Sequence, residues 1–143
     1  MLRLIRLTLA CVLALSLSPL SLARAQSGPL PCQTGALPTS DPLHPEQLIM
    51  ICVPPTGWNG QLVVYAHGYV PAQAPLALPL GELTLPEPIV LPDGTPVTSV
   101  PEVLLAIGFA FATSSYSKNG YAVQQAGDNL NALVEHFKTL VGS

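Results

Sequence analysis

His67, Gly68 and Tyr69 are the residues best placed to do chemistry. They follow Leu62-Val63-Val64-Tyr65-Ala66, a β-branched and aromatic run that reads as a buried strand. A strand ending in His-Gly can aim the next backbone N–H into a pocket. Glycine adopts conformations closed to other residues and lets a ligand approach the main chain. Such donors stabilise the oxyanion that forms when a carbonyl is attacked, and losing one typically costs about 2.7–4 kcal/mol of transition-state stabilisation. The same three residues also read as a half-buried histidine at a strand end, with no ligand.

The other reactive side chains do not assemble into a nucleophile with a base. Ser114, Ser115 and Ser117 follow a second apolar run, at a strand end where sites on such sheets collect. A serine nucleophile needs a base within hydrogen-bond reach, and the sequence assigns none. His44 lies in a proline-flanked loop, His136 beside the apolar stripe of a helix, and Asp128 among that helix's solvated residues. The three histidines and the cysteines lack metal-ligand spacing, so no metal and no cofactor is expected.

Residues 1–25 read as a signal peptide. Arg3 and Arg6 precede an apolar core from Leu7 to Leu17, and Ala23-Arg24-Ala25 places the cut before Gln26. That core is too short for a membrane-spanning helix, which needs about 20 residues. Cleavage is therefore expected over an uncleaved anchor, with export to the periplasm or medium and no stable membrane anchor afterwards. Removal of the leader leaves Lys118 and Lys138 against eight acidic residues, a net charge of −6. A chain so acidic lacks the basic patch that nucleic acid or an anionic membrane surface requires. Cys32 and Cys52 remain. They read as a disulfide in an oxidising compartment, or as two buried free thiols; export favours the disulfide.

The elements that must position the site can be followed along the chain. Residues 26–47 are rich in Pro, Gly and Ser and read as an extended, exposed lead-in. Gln47 to Val53 reads as a strand closed by Pro54-Pro55. Asn59-Gly60 is a turn signal before Leu62, so these two strands are expected to form a hairpin with Trp58 covering its end. Residues 70–98 hold seven of the 16 prolines and read as an irregular loop, either functional or merely tolerated, with a turn at Pro92-Asp93-Gly94. Ser99-Val100-Pro101-Glu102 carries a capping-box pattern for a short helix to Ile107, stopped by Gly108. A strand over Phe109 to Thr113 follows. Tyr121 to Val141 reads as a long helix with apolar residues three or four apart. A strand, crossover helix and strand favour a parallel pair and an α/β class.

Residues 61–70 and 108–121, within the order just traced, resemble the N-terminal portion of the α/β-hydrolase superfamily. More narrowly, they resemble its secreted serine hydrolases of the prolyl-oligopeptidase or esterase type. The resemblance spans about Leu48 to Val141. It implies a partial α/β-hydrolase-like sheet with flanking helices, incomplete in this sequence, over a domain of 48–143. It implies an ester or peptide substrate, with the Tyr69 N–H as one oxyanion donor and His67 and Gly68 shaping the loop after the third strand. It also offers Tyr116, Asn119 and Tyr121 as pocket residues, with ordinary loop packing as the equal alternative. The family's Gly-x-Ser-x-Gly elbow is absent, since no two glycines are four apart. The expectation is a chain truncated before its nucleophile and inactive alone. The other class is a small exported binding or structural module using residues 70–98 as its interaction surface.

Overall fold

A computed structural model describes residues 31–142. The signal-peptide reading of residues 1–25 lies outside them. The described chain has mixed α/β content: β1 (Cys32–Pro38), β2 (Glu46–Cys52), β3 (Leu62–Tyr65), β4 (Thr84–Val90), β5 (Pro96–Ser99), α1 (Val100–Ala106), β6 (Ala110–Ser114) and α2 (Val123–Val141). Four strands form one sheet in the order β1-β2-β6-β3, and β4 and β5 form a separate pair.

Side-chain volume and burial explain the order. Every residue of β6 is buried, and its Ala110, Phe111 and Ala112 alternate across the sheet. A strand covered on both faces and paired on both edges belongs at the centre. β6 accordingly lies between β2, to which it is antiparallel, and β3, to which it is parallel. The hairpin expected between residues 47–53 and 62–66 is therefore not formed. Pro54 and Pro55 end the β2 ladder, and the chain crosses to the far side of β6 before starting β3.

The two helices cover opposite faces. Ile49, Ile51, Ala110 and Ala112 meet Leu133 and Phe137 of α2, and the alanines let that helix approach closely. Burying side chains of that size contributes roughly 1.5–3 kcal/mol each. Met50, Cys52 and Phe111 point the other way, against Leu83 and against Val100, Leu104 and Leu105 of the α1 region. Trp58 packs edge-on against Phe137, with ring centroids 5.7 Å apart, and donates its indole N–H to the Gln61 carbonyl at 2.9 Å. It seals the α2 layer rather than a hairpin end.

Two segments are more regular than their composition suggests. Residues 32–38, expected as part of an extended lead-in, pair antiparallel with β2 in a register that sets Cys32 opposite Cys52. Those cysteines form a disulfide, with an S–S distance of 1.99 Å. The intervening turn is closed by Asp41, which accepts the Leu43 N–H at 2.9 Å and contacts His44 Nδ1 at 2.8 Å. Within 70–98, the irregular loop gives way to the hairpin β4–β5. It turns at Pro92-Asp93-Gly94, where Asp93 accepts the Thr95 N–H at 2.9 Å. Pro86 and Pro88 fall in the irregular stretch between the Thr84 and Ile89 pairs, where a missing N–H costs no ladder bond.

α1 begins as its sequence pattern requires. The Glu102 carboxylate accepts the Ser99 N–H at 2.9 Å, while the Glu102 N–H points back at the Ser99 hydroxyl oxygen without reaching a full hydrogen bond. Gly108 ends the α1 segment at φ +85°, and a Cβ there would stand 2.8 Å from the Gly57 carbonyl oxygen. α2 ends on Gly142 in the left-handed conformation, the usual C-terminal stop.

Candidate functional site

Because β3 and β6 are parallel, their C-terminal ends open on the same edge of the sheet. The loop His67–Tyr69 leaves β3 there, and Ser114 to Tyr121 leaves β6 beside it. Between these loops and the start of α2 lies a cavity of about 360 Å³. It is lined by His67, Gly68 and Tyr69 from the first loop and by Tyr116, Asn119 and Tyr121 from the second. The six residues singled out from sequence thus border one space.

The cavity floor is aromatic. The His67 ring is 8 % exposed and stacks on Tyr116, with centroids 4.1 Å apart and planes 23° from parallel. His67 Nδ1 lies 2.8 Å from the Gly68 carbonyl oxygen. A carbonyl only accepts, so Nδ1 carries a proton in this contact. The His67 Nε2 is buried without a partner among the described residues. The Tyr116 hydroxyl donates to the His67 carbonyl at 3.0 Å, and burial, helped by the nearby Glu82 charge, holds this phenol above its ordinary pKa of 10.0. Tyr116 is also, among the described residues, the non-glycine with positive φ, at 55°. Backbone strain of this kind concentrates where a side chain must be aimed.

Gly68 and Tyr69 lie on the exposed side of the loop. Among the described residues neither N–H enters a hydrogen bond, so both donors remain available. The structure corrects one reason given for Gly68. Its φ is not in the left-handed region, and a Cβ would meet nothing within 4 Å. The fold of these residues tolerates a side chain at that point, so any need for glycine there comes from what approaches the loop.

Tyr69 is 66 % exposed and Tyr121 is 93 % exposed, and their rings tilt together at 5.7 Å across the mouth. Asn119 serves the loops themselves. Its amide donates to the Ala74 carbonyl at 2.7 Å, and the Gly120 N–H donates to the Val70 carbonyl at 2.8 Å. Together they tie the β6 loop to the segment after Tyr69. Val70, Lys118, Gly120, Ala122, Val123 and Ala126 complete the lining, and sequence reasoning missed them. Their signal was position, since 118–126 connects a strand end to a helix start. α2 begins at Val123, its N-cap Ala122 offers no side-chain bond and its first turn has no acidic residue, so its positive dipole end lies at the cavity uncompensated.

The serines behind the cavity are structural. Ser114 donates to Gln47 Oε1 and accepts the Tyr116 N–H at 2.9 Å, while Ser115 donates to the Tyr116 carbonyl at 2.6 Å. Buried Gln47 and Asn129 complete the cluster, Asn129 Oδ1 accepting the Ser117 N–H at 2.7 Å. Among the described residues no serine hydroxyl bonds to a histidine. Asn129 interrupts the apolar stripe of α2 between Ala126 and Leu133, a polar intrusion that points to a buried partner.

Among the described residues no group of three or more His, Cys, Asp or Glu could hold a metal ion, and no helix is long and apolar enough to cross a membrane. No protein-family model, curated protein or solved structure matches the chain.

Proposed function

We propose that this chain is an exported α/β-hydrolase-like protein carrying the oxyanion side of a serine-hydrolase site. It would be secreted or periplasmic, acting on the carbonyl of an ester or amide. The observation that carries the reading is the placement of His67-Gly68-Tyr69. The loop follows the third strand, at the C-terminal edge of a parallel pair, with the unpaired Tyr69 N–H beside a cavity. A sheet covered by helices on both faces and a cross-strand disulfide fit the same reading. In this scheme a serine that these 143 residues do not supply attacks the carbonyl, and the Tyr69 N–H donates to the oxygen as its charge develops. The buried His67–Tyr116 stack keeps the loop in place.

Two measurements on the purified chain test this. Methylphosphonate, a small tetrahedral oxyanion, is expected to bind saturably at the loop, and p-nitrophenyl acetate is expected to be hydrolysed no faster than in buffer. Measurable turnover by this chain would contradict the half-site assignment.

A second reading has its own observation. The hairpin β4–β5 stands largely exposed, with Ile89 and Val90 in solvent. That surface suits a small exported binding or structural module. A β4–β5 deletion that abolishes partner capture while methylphosphonate binding is absent would favour it.

A further inference from the structure

We infer that the cleft selects a ligand with an aromatic ring, packed against the Tyr69–Tyr121 pair in the cavity that His67 and Tyr116 also line. This rests on reading the cavity as a substrate site and deepens it by naming the group beside the reacting carbonyl. Three observations converge. Tyr121 is 93 % exposed and Tyr69 is 66 % exposed, and their rings pack together at 5.7 Å and 51°, which leaves their outer faces in solvent beside the cavity. The floor is a third and a fourth ring, His67 stacked on Tyr116 at 4.1 Å. The cavity, about 360 Å³, lies within the range of small-molecule sites. Its lining includes the aliphatic Val70 and Val123 and no carboxylate.

Aromatic rings prefer tilted and offset contacts with other rings, beyond the gain from area alone. A ring entering the cavity adds such a contact to the Tyr69–Tyr121 pair. A saturated ring of similar size gains the area and loses the quadrupole. Lys118 and the uncapped start of α2 add positive potential, so the aromatic group is uncharged or anionic rather than cationic.

The test compares benzoate with cyclohexanecarboxylate, matched in charge and close in size, by NMR titration of the purified chain. Benzoate is expected to bind about fivefold more tightly, a factor within the range of aromatic-pair contributions, and to shift the Tyr69 and Tyr121 ring resonances. Tyr121→Ala, at a residue too exposed to matter for folding, is expected to equalise the two ligands, and Tyr121→Phe to keep the preference. Equal affinities in the unaltered chain, binding of neither acid, or a preference that survives Tyr121→Ala would each overturn the inference. Methylphosphonate has no ring, so its binding reports on the oxyanion donors separately. Loss of benzoate selectivity with methylphosphonate binding intact rejects only the aromatic assignment.

Discussion

At residue scale Gly68 and Gly108 make opposite demands. Gly108 has φ +85° and the Gly57 carbonyl oxygen 2.8 Å from where a Cβ would go. Gly68 has neither constraint. Gly108→Ala should therefore cost about 2 kcal/mol or more, from left-handed backbone and a clash with main chain. Gly68→Ala should stay within about 0.5 kcal/mol of the parent chain. Chemical denaturation of the two variants checks both. Tyr116 carries a second prediction. Removing its hydroxyl leaves the His67 carbonyl without that donor, so Tyr116→Phe should cost about 1–3 kcal/mol near neutral pH. Its pKa is raised in the folded chain, chiefly by burial. The native state thus holds the phenolic proton where the unfolded chain loses it. Stability should be flat below pH 10 and fall as pH rises through the folded pKa, and Tyr116→Phe should lessen that fall. The His67-Gly68-Tyr69 loop was legible from residue type, because a strand pattern running into His-Gly is local information. The positive φ of Tyr116 was not. It is imposed by Ser114 and Ser115, which bond its N–H and carbonyl, and by Asn129 holding the next residue.

At the scale of elements, α1 is anchored by one carboxylate. Glu102 accepts N–H donors from Thr98 and Ser99. Partial burial works against its ionisation, but these backbone bonds prevail and hold its pKa below the ordinary 4.5. A depressed carboxylate stabilises above its unfolded pKa and loses that contribution as pH falls through the folded one. Glu102→Gln should therefore lower the melting temperature at pH 7, and the gap between variant and parent should close below about pH 4. The capping pattern, both helices, the β3–β6 parallel pair and the turn at Pro92-Asp93-Gly94 were readable from sequence. Each depends on spacing within a few residues or on a crossover rule. The pairing of β1 with β2 and the place of β6 between β2 and β3 were not readable. They depend on which strand best buries both faces, a comparison among distant segments that no local window contains. The prolines of β4 misled for a related reason. They sit where the ladder is already irregular, so the rule against proline in strands had nothing to forbid.

For the molecule as a whole, the disulfide links the edge strand to the covered sheet. The cysteines are 20 residues apart, and closing a loop of that length contributes about 3 kcal/mol in the chain-entropy view. Cys32→Ser with Cys52→Ser should lower the unfolding free energy by about that amount, and reductant should do the same to the parent chain. Export and a cross-strand disulfide fit one another, since the bond persists only in an oxidising compartment. The cavity at the sheet's C-terminal edge is the feature on which the proposed ligand site rests. The central claim is that this edge stabilises developing negative charge through the Tyr69 N–H. The most direct measurement is an amide-resolved titration with methylphosphonate. A saturable downfield shift at Tyr69, larger than any shift in the first turn of α2, is expected. Shifts confined to Val123, Gln124 and Gln125, or no saturable shift at all, would contradict it.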